Sequence, residues 1–138
     1  MTKDFLYQYI RQHTLAVVST ISGEKKPESA LLGIAITEEL EIIFDTVKTS
    51  RKYKNLVENP AAAIVIGWDN ETTLQYEGTA TALNDTGDEK YKEAYFAVFP
   101  DGRQRAETWP GLVHFKVSPK WIRYNNFNEP QIIEELHF

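Results

Sequence analysis

Three hydroxyls and three cations fall within seven residues, Thr46-Val47-Lys48-Thr49-Ser50-Arg51-Lys52. The run lies where a β-branched stretch gives way to helical spacing, with Thr49 or Ser50 able to cap the helix. A helix starting there presents free N–H groups and a partial charge of about +0.5. Together these groups suit a phosphate monoester, with Arg51 forking two oxygens and Lys52 supplying a point charge. The same residues also describe an ordinary capped surface helix with solvated cations, and physics alone leaves the two readings open. The run has no glycine, so it is not a P-loop. Lys54 adds a fourth positive charge; with those four set aside, a chain of net charge −5 carries −9 elsewhere. A compact basic spot on an acidic protein suits a small anion, and the overall balance argues against nucleic acid as a partner.

The elements that must position this run belong to a chain of 138 residues, 42% hydrophobic and 12% aromatic. That is enough for one folded domain, expected to span residues 1–138. The absence of cysteine excludes disulfides, thiolate metal sites and thiol nucleophiles. No apolar run approaches the ~20 residues of a membrane helix, and Met1-Thr2-Lys3-Asp4 opens on charge, so a cytoplasmic protein with no membrane partner is expected.

Phe5, Leu6, Tyr9 and Ile10 give helical spacing over residues 3–13. Residues 15–21 read as a strand, and the nearly continuous apolar run 29–36 as a strand covered on both faces. Short turns lead from these into a strand over 40–46, predicting an antiparallel meander. A helix to about Glu58 ends at Asn59-Pro60. Strands follow over 61–68 and, around Gly78, over 72–83. A second helix spans about 88–98, with Tyr91, Ala94, Tyr95 and Val98 as its apolar stripe. Residues 100–110 read as an irregular loop, 112–117 and 120–124 as strands, and 131–136 as a final strand or short helix. The pattern is mainly β: six or seven antiparallel strands in a small barrel with two or three helical inserts.

The ordered set Glu41-Ile42-Ile43-Phe44-Asp45-Thr46, Thr49-Ser50-Arg51-Lys52 and Asn59-Pro60, then a strand ending at Trp68 and a hairpin into the Gly78 strand, resembles a known family. That family is the FMN-binding split barrel of pyridoxamine 5′-phosphate oxidase-like proteins. The resemblance runs from about Leu15 to Leu83, and more loosely from Val113 to Tyr124. It implies a split β-barrel homodimer with FMN in clefts at the subunit interface. By position, Ser50, Arg51 and Lys52 match the phosphate grip, and Asp45 and Thr46 the strand end that contacts the cofactor. Main-chain groups of Leu31, Leu32 and Gly33 match the strand along the flavin ring, and Gln75, or else Thr73, the ring-contacting position.

Two departures accompany the likeness. The oxidase's cofactor-binding Arg and Lys fall at Ala30 and Ala35, and its additional C-terminal segment has no counterpart beyond a faint Pro119-Lys120-Trp121-Ile122-Arg123. The resemblance therefore implies a short flavin-binding relative, either a flavin-dependent oxidoreductase using NAD(P)H and a small substrate or a non-enzymatic, stress-related flavin binder. The deazaflavin F420 and haem, both used by split-barrel relatives, are the other options. The acidic tail of F420 wants more basic surface, and no histidine sits at a persuasive haem-ligand position. His13, His114 and His137 are too dispersed to predict a metal site. No side chain stands out as an acid, base or nucleophile, so no catalytic residue is assigned; a cofactor would carry the chemistry. Trp68 is read as packing at a strand end in preference to bordering the flavin, and Arg103, Arg105 and Trp109 as part of an exposed loop in preference to a lid or substrate site across the dimer.

Overall fold

Alternating burial frames the protein. In strand β1 (Leu15–Ile21), Ala16, Val18 and Thr20 are buried, and in β5 (Ala61–Ile66), Ala62, Ile64 and Ile66. Each strand thus commits one face to a common core. The computed structural model describes residues 1–138 as a curled antiparallel sheet with four helices. The remaining strands are β2 (Pro27–Gly33), β3 (Ala35–Ile36), β4 (Ile42–Val47), β6 (Thr72–Ala82), β7 (Leu112–Asn126) and β8 (Ile132–His137). The helices are α1 (Lys3–Arg11), α2 (Arg51–Glu58), α3 (Glu89–Val98) and α4 (Asp101–Thr108).

The sheet runs β2-β1-β5-β6-β7-β4-β3, with β8 also paired to β7. Leu6 and Ile10 of α1 join Ala16, Ile42, Phe44, Ile64, Leu74, Tyr76 and Ile122 in the main core. No helix is long and apolar enough to cross a membrane.

The expected meander is corrected. β1 and β2 form a hairpin, but β4 pairs with β7 and β3 on the far side. The single strand expected over 29–36 breaks at Ile34, which is buried and donates its N–H to the Thr14 carbonyl at 2.9 Å. One continuous segment therefore supplies both terminal strands of the sheet, β2 and β3. Nor is this segment covered on both faces, since Leu31 is 62% exposed.

The loop expected over 100–110 is helix α4. Pro100 marks its start, a place where a missing N–H costs nothing. Gly102 lets it approach α3 so closely that a Cβ there would lie 3.0 Å from the Tyr95 ring. The two strands expected over 112–124 are one. Ser118 and Pro119 are absorbed where the β6–β7 register shifts at Glu77/Gly78, and a Cβ on Gly78 would come within 2.3 Å of the Ser118 carbonyl. Residues 131–136 resolve as a strand, eight strands in all. Tyr95 is buried and Tyr91 packs partly buried beside it, as the stripe predicts, but Val98 at the end of the helix is 40% exposed. Trp68, read as packing, is instead 56% exposed, because the strand ends before it.

Candidate functional site

α2 starts one turn after β4 ends, and Ser50 caps it, accepting from the Tyr53 N–H at 3.2 Å. The Ser50 hydroxyl also lies 2.8 Å from that of Thr46, so the end of β4 and the helix cap are tied together. The cap satisfies the Tyr53 N–H, while the N–H groups of Arg51 and Lys52 have no acceptor within the helix. Further along α2, buried Asn55 donates to Thr20 on β1 at 2.9 Å and to Glu28 on β2 at 2.8 Å. The helix thus bridges the β4 side of the barrel and the β1–β2 side.

Lys52 is half-buried. Burial, reinforced by the neighbouring Arg51 charge, lowers its pKa below the ordinary lysine value, against a weaker upward pull from Asp45. A cation that is poorly solvated and beside another cation is a favourable place for an anion. Lys52 and Arg51 line a cavity of about 70 Å³ with Val18, Thr20, Glu28, Ser29 and Ala30. Glu28 is the residue that sequence reasoning missed here: its carboxylate accepts from Arg51 Nη1 at 3.1 Å. The available signal was the two-residue period of β2, which puts Glu28 on the same face as Ala30.

The remaining candidates fall into two groups. On the outer face, Leu31 pairs with Val17, Val17 with Val65 and Val65 with Gln75 across four neighbouring strands. Gln75 and Thr73 share this face, two residues apart on β6. Exposed Leu15, Leu31 and Val65 make the face apolar. β2 is a terminal strand, so its far edge offers unpaired main-chain groups beside the basic helix end. Leu32 turns inward onto the core, and the Phe99 ring covers Gly33, 2.6 Å from where a Cβ would stand.

The second group lies away from the edge. Asp45 sits 3.4 Å from Arg105 of α4, whose Nη2 also approaches the Tyr95 hydroxyl at 3.5 Å. Burial and the Asp45 charge push Tyr95 up to about 12. His114 lies opposite Asp45 across the β4–β7 ladder, buried, with Nε2 lacking any partner. Arg105 is thus held by its neighbours and not on an exposed loop, while Arg103 pairs with Glu93 at 2.6 Å on the surface. Ala35 is buried beside Ile43, Leu83 and Tyr95, so the position where the oxidase carries a second cation faces apolar packing here.

Solved structures share this architecture. A heme binding protein from Mycobacterium smegmatis superposes with a TM-score of 0.82 at 11% identity, over 99% of this chain and 58% of that one. The chain thus spans little more than half the length of that relative. The general stress protein 26 of Bacillus anthracis gives 0.75 at 20% identity, covering 99% and 98% of the two chains. A pyridoxamine 5′-phosphate oxidase-related, FMN-binding protein from Nostoc punctiforme gives 0.67 at 14%, covering 99% and 91%. At these identities the likeness establishes the fold, a split β-barrel. The sequence model for pyridoxamine 5′-phosphate oxidase matches residues 2–126, and the chain belongs to that family. No curated protein sequence matches it significantly.

Proposed function

We propose that this chain is an FMN-binding flavoprotein of the cytoplasm, working as a homodimer and serving as a flavin-dependent oxidoreductase for a small substrate. The observation that carries this reading is the half-buried Lys52 at the start of α2, next to Arg51 and the unpaired edge of β2. The donor set suits a phosphate monoester: two cations, two N–H groups free of the helix ladder and a hydroxyl-bearing turn. A flat ring would find unpaired main-chain groups along β2 and apolar surface at Leu31, with Gln75 two strands away from Val17 on the same face. The family match supports the choice of flavin.

When bound, the flavin would supply hydride or electron transfer. The protein's part is positioning. Lys52 and Arg51 would hold the phosphate, Ser50 and Thr46 would keep the helix end against β4, and the β2 main chain would align the ring. The apolar row Leu31–Val17–Val65 supports a second copy packing over this face, which would exclude water from the ring. None of these residues is an acid or base set to move a proton, so turnover would depend on flavin and reductant alone.

The test is a titration of the purified protein with FMN, followed by flavin fluorescence and the visible spectrum. Saturation near one FMN per chain, in a dimer by light scattering, is the expected result. Absence of saturable binding overturns the reading. NAD(P)H oxidation no faster than with free FMN would make the chain a flavin carrier and not an enzyme.

A further inference from the structure

The basic end of α2 is already engaged by an anion that belongs to the chain. Glu28 accepts from Arg51 Nη1 through one carboxylate oxygen and from Asn55 Nδ2, at 2.8 Å, through the other. Its side chain is 20% exposed and that of Arg51 71%, so the acid is the anchored member of the pair and the guanidinium the outer one. Asn55 is itself fixed from behind by its bond to Thr20, and both are buried. Among the seven residues around the small cavity, Glu28 alone is acidic. Glu28 and Arg51 also line the neighbouring crevice of about 430 Å³, with Glu24, Lys26, Lys54 and Glu58, so their ion pair stands between the two spaces.

This arrangement reverses the local charge logic. The inward face of β2 opposite the helix carries a carboxylate at position 28 and no cation at Ala30. A phosphate entering beside Lys52 meets a fixed negative charge that already uses one arm of the Arg51 fork. Like charges at one site are a repulsive element, and specificity is a difference of affinities to which such elements contribute.

We propose that Glu28 is a specificity-determining residue of this seat: it competes with an incoming phosphate for Arg51, so the chain gains less from the phosphate than its two cations alone would give. The proposal rests on the flavin reading above. It makes the ratio of FMN to riboflavin affinity, and not the affinity of either alone, the property that Glu28 controls.

The experiment titrates wild type, Glu28→Gln and Glu28→Ala with FMN and with riboflavin. Both substitutions are expected to tighten FMN by about tenfold, equivalent to about 1.4 kcal/mol, while riboflavin stays within about twofold. Alanine provides a second probe should the glutamine variant fold poorly, since it removes both contacts and places no new amide near Arg51. If Glu28 were only a structural brace, its loss would shift both flavins together. An unchanged ratio in variants that bind flavin therefore overturns the proposal and leaves the flavin reading intact. If neither flavin saturates any of the three proteins, the flavin reading falls and the proposal falls with it.

Discussion

The hydroxyls of Thr46 and Ser50 lie 2.8 Å apart, joining the end of a strand to the cap of the helix that follows. Ser50 therefore serves two masters, Thr46 and the Tyr53 N–H. Ser50→Ala is expected to cost about 1–2 kcal/mol, the upper range for a lost N-cap, because the Thr46 hydroxyl also loses its partner. Urea unfolding measures it. A double-mutant cycle with Thr46→Val should show coupling between the two; strict additivity would mean that the contact contributes nothing.

The phosphate assignment is tested at the two cations. Replacing Arg51 and Lys52 together with Ala should weaken FMN by at least ~2 kcal/mol and leave riboflavin nearly unaffected. Lys52 also predicts a pH dependence. Its pKa is lowered by burial and by Arg51, so in the free protein it loses its proton below the ordinary lysine range. A bound phosphate favours the protonated form. The FMN-to-riboflavin ratio, in which ionisation of the ring cancels, should therefore be flat at neutral pH and fall as pH rises through the lowered value. Calorimetric titrations at a series of alkaline pH values would show a pH-independent ratio if Lys52 does not face the phosphate.

Most strand positions, a helix cap at Thr49 or Ser50 and the two cations were legible from residue type and spacing, because each depends on neighbours within a few positions. Pairing order was not. Nothing local in residues 29–36 announces that Ile34 divides the run between opposite ends of the sheet. The Glu28–Arg51 pair spans 23 positions and forms only once the β1–β2 hairpin packs against α2. Helix α4 was hidden by its two flanking prolines and by Gly102, residues that signal a loop until the contact with Tyr95 is known.

His114 carries a stability signature in acid. Burial lowers its pKa, helped by the Lys92 and Arg105 charges and opposed by Asp45. The unfolded chain, with a value of about 6.5, binds the proton first. Stability is therefore complete above that value and falls as pH drops through it toward the depressed folded value. His114→Phe removes the titration and the unpartnered Nε2. Chemical denaturation between about pH 7.5 and about pH 5 should show wild type losing ground to the variant as acid is added. Parallel curves would mean that His114 takes up its proton equally in both states.

Tyr76 is buried at the centre of β6, its hydroxyl 2.7 Å from the Leu40 carbonyl oxygen and 2.9 Å from that of Val117. Leu40 holds a left-handed backbone with φ of 63°, which a branched side chain adopts only under restraint. Tyr76→Phe keeps the ring but leaves both carbonyls without their shared donor. The expected cost is about 1–3 kcal/mol, measured by thermal or urea unfolding. A loss within experimental error would mean that the turn at Leu40 is maintained without it.

Helix α2 has a consequence beyond ligand contact. Its start and its middle are tied to opposite sides of the barrel, through Ser50 to Thr46 and through Asn55 to Thr20 and Glu28. The groups that would grip a ligand's tail therefore stand on the same helix as the stitches of the seam. Breathing of that seam and escape of the tail become one motion, so amides of β1 and β4 should exchange with solvent more slowly once the seat is filled.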